Sequence, residues 1–115
     1  MSEPQAFVSN ISPDSWQADP DVPGSEMHEL MHVDGVWAGL TRFSEVNGPQ
    51  TWTPPNRETI HVLEGSVRIE IADGQTLELG PGDIASLPAG IEEVWHITAP
   101  FKEFWVLSEA SSNEK

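Results

Sequence analysis

From His28 to Ser108 the chain never runs far before meeting a turn signal, and this restricts it to short strands. Alternating apolar and polar runs occupy 35–43, 58–63, 66–72, 76–79, 84–87, 93–98 and 103–108. Between them stand turn sequences such as Asn47-Gly48-Pro49, Pro54-Pro55-Asn56, Asp73-Gly74, Gly80-Pro81-Gly82-Asp83 and Pro88-Ala89-Gly90. Proline removes a backbone donor and glycine tolerates positive φ, so both punctuate strands and break helices. Asp73-Gly74 between two alternating runs predicts a hairpin, because a type I′ turn needs positive φ. Many short strands at this spacing predict an all-β sandwich or closed barrel.

One hundred and fifteen residues suffice for one domain with one core. The formal net charge of -14 argues against nucleic acid or an anionic membrane as partner, since both would be repelled. No apolar run approaches the roughly 18 residues of a membrane span. Without a cysteine there is no disulfide, thiolate zinc site or cysteine nucleophile. No basic start followed by an apolar stretch is visible, so the expected compartment is the cytoplasm. Residues 1–34 hold seven acidic residues and no Lys or Arg. Residues 1–26 are expected to form an extended acidic arm anchored by Trp16, 27–109 the β-barrel and 110–115 a disordered tail.

Strand faces follow from the two-residue period. Val67, Ile69 and Ile71 point inward, with Arg68 and Glu70 facing water. In Glu58-Thr59-Ile60-His61-Val62, Glu58 shares the face of Ile60 and Val62. A carboxylate among β-branched residues is costly unless paired, protonated or bound to something, which makes Glu58 the most informative charge in the chain.

These residues also carry a family resemblance. Glu58 to Gly65 (ETIHVLEG) resembles the second half of the first cupin motif, and Gly82 to Gly90 (GDIASLPAG) resembles the second motif, Gly-x5-Pro-x-Gly. Gly35-Val36-Trp37 and Trp95 resemble the small single-domain cupins related to ureidoglycine aminohydrolases and ethanolamine-utilisation cupins, most without an assigned function. The resemblance covers about residues 35–108 and implies a double-stranded β-helix, the cupin jelly-roll barrel, with an extended acidic N-terminal arm. It also implies a His-x-His before the glutamate and a third His after Pro-x-Gly. Those positions fall on Thr51 and Thr53, or on Trp52 and Pro54, and on Glu93. None is histidine. A catalytic Zn, Fe, Ni or Cu site normally takes about three protein ligands and favours imidazole, so no tightly held metal is expected. Glu58 and Glu93 could hold a hard cation, Mn or Mg, weakly.

His61 lies an odd number of residues from Glu58, and His96 from Glu93, so both are expected to point out of the barrel. Only a β-bulge between Glu58 and His61 would turn His61 inward as a ligand beside Glu58. His28 and His32 fall in an expected edge strand. Trp95 shares the face of Glu93, Trp37 that of Thr41, and Trp105 that of Leu107. The expected pocket is therefore lined by Trp37, Thr51, Thr53, Glu58, Glu93, Trp95 and Trp105, with Glu58 or Thr53 as a partner for a buried indole N–H. Aromatic faces with carboxylates suit a cationic or flat organic ligand.

Three readings follow. In the first, the pocket binds a small polar or nitrogen-containing metabolite and can transform it, with Glu58 and Glu93 as acid–base residues. In the second, by resemblance, the protein is a Mn-type aminohydrolase. The third is a non-catalytic ligand-binding and dimerisation module. Phe101 and Phe104 add apolar surface to the last strand, and a homodimer is expected.

Overall fold

The computed structural model describes residues 5–109, and the expected tail at 110–115 lies outside them. Eight strands carry the fold: β1 (Gln17–Ala18), β2 (Ser25–Val33), β3 (Val36–Phe43), β4 (Gln50–Trp52), β5 (Arg57–Ile71), β6 (Thr76–Leu79), β7 (Ile84–Leu87) and β8 (Glu93–Ser108). All pairings are antiparallel, and the described residues contain no helix. The fold is the all-β jelly roll expected of the sequence.

Two pairs of expected short strands are each one long strand. Runs 58–63 and 66–72 join as β5, and runs 93–98 and 103–108 join as β8. β5 lies beside β8 from Arg57↔Ser108 to Ile71↔Glu93. The first half of β5 also pairs with β7, and its second half with β6. β8 likewise pairs with β4 through its first half and with β3 through its second. The two long strands thus pass together from one layer to the other, and the inward residues of both layers form the core.

The passage is marked by register shifts between Val62 and Glu64 and between Glu64 and Ser66. They change the phase of β5. Glu58, Ile60 and Val62 are buried before the bend, and Val67, Ile69 and Ile71 after it. Since Glu58 to His61 pair in unbroken register with Leu87 to Ile84, no bulge turns His61 inward. Gly65 sits at the bend with φ +78°. A Cβ there would collide with the carbonyl oxygen of Pro100 and come within 2.7 Å of that of Thr98.

The hairpin expected at Asp73-Gly74 joins β5 to β6, but only Gly74 there has positive φ. Ile71 N donates to Gln75 O, which makes the loop longer than a two-residue turn. The turn with two positive φ values is Asp34-Gly35, at 57° and 75°, between the paired Val33 and Val36.

The core includes Phe43, Ile60, Val62, Ile69, Leu87 and Phe101. Phe101, expected to contribute apolar surface beyond the barrel, is 1% exposed and lies 6.4 Å from the Phe43 ring. Its place in the bent β8 turns it inward. Phe104 faces outward and lies beneath the Phe7–Ile11 stretch of the N-terminal segment. Trp16 anchors that segment: the Arg42 guanidinium stacks 4.1 Å over its ring and its indole donates to Pro13 O.

Replacing Gly65 with Ala should cost about 3 kcal/mol or more, lowering the unfolding midpoint on the order of 10 °C or further. Gly74→Ala, at φ +107° with nothing within 4 Å of an added Cβ, should lose only about 1 kcal/mol from backbone strain. Calorimetric scans of both variants check this, and equal losses would show that the close approach at the bend is not what restricts position 65.

Candidate functional site

The inner face of β8 carries Glu93, Trp95, Phe101, Glu103, Trp105 and Leu107, all buried. Beside it β5 contributes Glu58, while β4 crosses the first half of β8 with Trp52 opposite Glu93. Together these strands wall a cavity of about 290 Å³. Four of the five tryptophans line it: Trp37, Trp52, Trp95 and Trp105. Two carboxyl groups, Glu58 and Glu103, reach it from the strands, and Asp19 and Asp21 from the N-terminal segment.

The aspartates arrive through a tight turn. Asp19 Oδ1 accepts from Asp21 N at 2.9 Å, Asp19 O accepts from Val22 N, and the buried Ser25 Oγ donates to Val22 O at 2.7 Å. The Pro/Asp cluster expected in an arm is therefore part of the cavity wall. Gln17–Ala18, just before it, pair with β2.

The indole N–H groups are consumed by the protein. Trp52 Nε1 donates to Glu58 Oε1 at 2.9 Å, and Trp95 Nε1 to Glu93 Oε1 at 2.8 Å. Trp105 Nε1 donates to Thr41 Oγ1 at 2.8 Å, and Trp37 Nε1 to Glu29 Oε1 at 2.9 Å. Trp37 stands edge-on to Trp105, with ring centroids 5.2 Å apart. Glu58 is thus an indole acceptor as expected, its donor being Trp52, whereas Thr53 accepts from none of these four indoles and Trp95 bonds Glu93, two residues away on the same face.

Three carboxyl groups sit where water does not reach freely. Burial raises the Glu58 pKa to about 7, against the lowering effect of the Trp52 hydrogen bond and with a further rise from repulsion by Glu93. Burial likewise raises Glu93, opposed by the Trp95 hydrogen bond. Glu103 is pushed well above the usual carboxylate range by burial and then by repulsion from Glu58 and Glu93. Glu93 Oε2 and Glu103 Oε1 are buried with no hydrogen-bond partner among the described residues.

Of the expected pocket residues, Trp37, Thr51, Glu58, Trp95 and Trp105 line the cavity. Thr53 does not; it is exposed on the loop after β4. Glu93 does not either. It is fully buried behind the wall, acting on the site through its charge and its bond to Trp95. Trp52, Glu103, Asp19 and Asp21 are cavity residues absent from the expected set. A signal for Glu103 existed, since it shares the face of Trp105 and Leu107 as Glu58 shares that of Ile60 and Val62.

None of the four histidines lines this cavity. His61 lies opposite Ile84 and Phe104 on the outer side of β5. His96 Nε2 bonds Glu70 Oε1 at 3.0 Å, and His32 Nε2 bonds Glu109 Oε2 at 3.0 Å. His28 bonds Ser9 Oγ and Ser15 O. At the positions where a cupin metal centre would take imidazoles, one spacing gives the hydroxyls of Thr51 and the exposed Thr53, the other Trp52, which offers only a donor, and Pro54, which offers a backbone carbonyl held by Gly90 N; the third position is Glu93, a carboxyl behind the wall. Among the described residues no group of three or more His, Asp or Glu is placed to hold a metal ion. These residues do not fit an imidazole-ligated transition metal.

Residues 42–104 match the family model of the EutQ-like cupin domain. The chain belongs to the EutQ-like cupins. A quercetin 2,3-dioxygenase of Aspergillus japonicus is 36% identical over 92 residues, covering 80% of this chain and 26% of that relative. This cupin therefore spans about a quarter of the length of that relative. The structure is similar to the Clostridium difficile EutQ protein (TM-score 0.62, 20% identity, 76% of this chain and 69% of that one). It is also similar to an RmlC-like cupin from Shewanella frigidimarina (TM-score 0.70, 14% identity, 93% and 96%). At these identities the structural likeness establishes the shared fold. Among the described residues, no helix is long and apolar enough to cross a membrane.

The buried carboxyls set a pH dependence of folding. Folded Glu58, at about 7 against an ordinary 4.5, keeps a proton that the unfolded chain releases. The native state binds more protons in that window, so stability is greatest below about pH 4.5 to 5 and falls as pH rises through 7. A rise of this size corresponds to roughly 3 kcal/mol for Glu58. Urea unfolding at pH 5, 6.5 and 8 should show the decline, and Glu58→Gln should flatten it. Stability that climbs across this range would contradict the assignment.

Proposed function

We propose that this EutQ-like cupin binds a small nitrogen-containing organic cation in the cavity walled by Trp37, Trp52, Trp95 and Trp105. The observation that carries this reading is one small cavity lined by four tryptophans, Glu58, Glu103, Asp19 and Asp21 together. Aromatic faces attract cations by about 0.5–2 kcal/mol each when desolvated. Carboxylates supply the countercharge, and among the described residues no Lys or Arg lines the cavity to oppose it. A volume near 290 Å³ lies at the small end of metabolite sites, which span roughly 300–1,000 Å³.

An enzymatic version of this reading rests on Glu58. A carboxyl titrating near 7 in a cavity is suited to giving or taking a proton at neutral pH. A metal-dependent aminohydrolase draws no support from the donor set. Homodimerisation belongs to the proposal too, through the outer face, where Val8 and Ile11 of the N-terminal segment are 93% and 56% exposed. Light scattering that gives a monomer mass at tens of micromolar would remove that part.

Calorimetric titration with benzylammonium, benzyltrimethylammonium and the neutral benzyl alcohol tests the ligand class. Both cations should bind at least about tenfold tighter than the alcohol at pH 8. Their affinity should fall as pH drops from 8 to 6 and Glu58 takes up its proton. Glu58→Gln should weaken both cations by about tenfold and remove part of the pH dependence. No preference for cations over the alcohol would refute the reading.

A further inference from the structure

We propose that Glu103 is the specificity-determining residue of the cavity, its carboxyl accepting N–H hydrogen bonds from a primary ammonium or amidinium head and so selecting such cations over quaternary ones. This rests on the cation-binding reading above and adds to it a requirement for N–H donors on the ligand.

Glu58 Oε1 is occupied by the Trp52 indole, and Asp19 Oδ1 by the Asp21 amide. Glu103 is different. It is 5% exposed, lines the cavity, and its Oε1 has no donor among the described residues. A buried acceptor left unmade costs about 1–3 kcal/mol, so a position that tolerates one is a position where a donor is wanted.

The surroundings define that donor. Glu103 lies in register with Thr41 on β3 and Val62 on β5. The hydroxyl of Thr41 is an acceptor for Trp105 Nε1, and Val62 offers no polar side chain. The protein therefore supplies no cation to Glu103, while Glu58 and Glu93 both repel its charge. A positively charged N–H group from outside would satisfy the acceptor and neutralise the repulsion together. A quaternary ammonium can do only the second. Charge-assisted N–H···O bonds are about twice as strong as neutral ones, which makes the difference readable as affinity.

The test uses the full chain at pH 8 with the same three probes. Wild type should bind benzylammonium about tenfold or more tighter than benzyltrimethylammonium. In Glu103→Gln, which keeps the side-chain size and cannot ionise beside a bound cation, the gap should close to within about threefold, chiefly by loss of benzylammonium affinity. Equal binding of the two cations by wild type overturns the assignment to Glu103 while leaving the cation-binding reading intact. A gap that survives in Glu103→Gln also overturns it. Failure of both cations to exceed benzyl alcohol refutes both proposals. A wild-type measurement stands beside the variant: with glutamate labelled at the carboxyl carbon, benzylammonium should move the buried Glu103 resonance further than benzyltrimethylammonium does. Identical shifts with the two cations count against the proposal.

Discussion

The architecture depends on β5 and β8 bending at one place while staying paired. Strands of fifteen and sixteen residues are too long to remain in one layer of so small a domain. Both cross between layers where Gly65 meets the backbone of Thr98 and Pro100. Because neighbouring residues of a strand face opposite sides, any register shift at such a crossing decides which residues become interior. On β5 the shift keeps Glu58 inward in one layer and Val67, Ile69 and Ile71 inward in the other. On β8 the odd-numbered residues stay interior along both halves, bringing Glu93, Trp95, Glu103 and Trp105 to a common wall. The site is a consequence of the crossing.

Three buried carboxyls near one another are an expense that the surrounding groups reduce without removing. The indoles of Trp52 and Trp95 each donate to one carboxylate oxygen, favouring the charged forms of Glu58 and Glu93. Burial outweighs those bonds in both cases, and repulsion keeps the three from ionising together. Glu103, with no indole of its own, is held toward the neutral form by burial and by the other two carboxyls.

Much of this was legible in the residues. Alternation identified the strands and their faces, and the acid among β-branched neighbours marked Glu58. Parity placed His61 and His96 outside. Glu103 escaped for a definite reason. In the sequence the alternating run 103–108 begins at that residue, and an acid at a strand end is normally solvated. In the folded chain β8 is continuous through Pro100, so Glu103 lies mid-strand and buried. Asp19 and Asp21 lie in a turn closed by its own side chains, where no period shows which way a residue points. Counting back from Glu58 placed Thr51 correctly and Thr53 wrongly, because the count crosses Pro54-Pro55, whose loop does not keep a two-residue period. Glu93 was correctly read as inward, but the face of a strand does not tell the lining of a cavity from the layer behind it.

Beside Glu58 stands an indole. Imidazole offers a lone pair to a metal, whereas an indole N–H is a donor only. With Trp52 beside Glu58, the carboxylate that would complete a metal shell accepts a proton-bearing nitrogen from the protein itself. Acceptor capacity is left over at Glu103, and negative potential at Glu58, Asp19 and Asp21. Surplus acceptors and aromatic walls are the features on which the proposed organic cation, with its N–H donors and positive charge, rests.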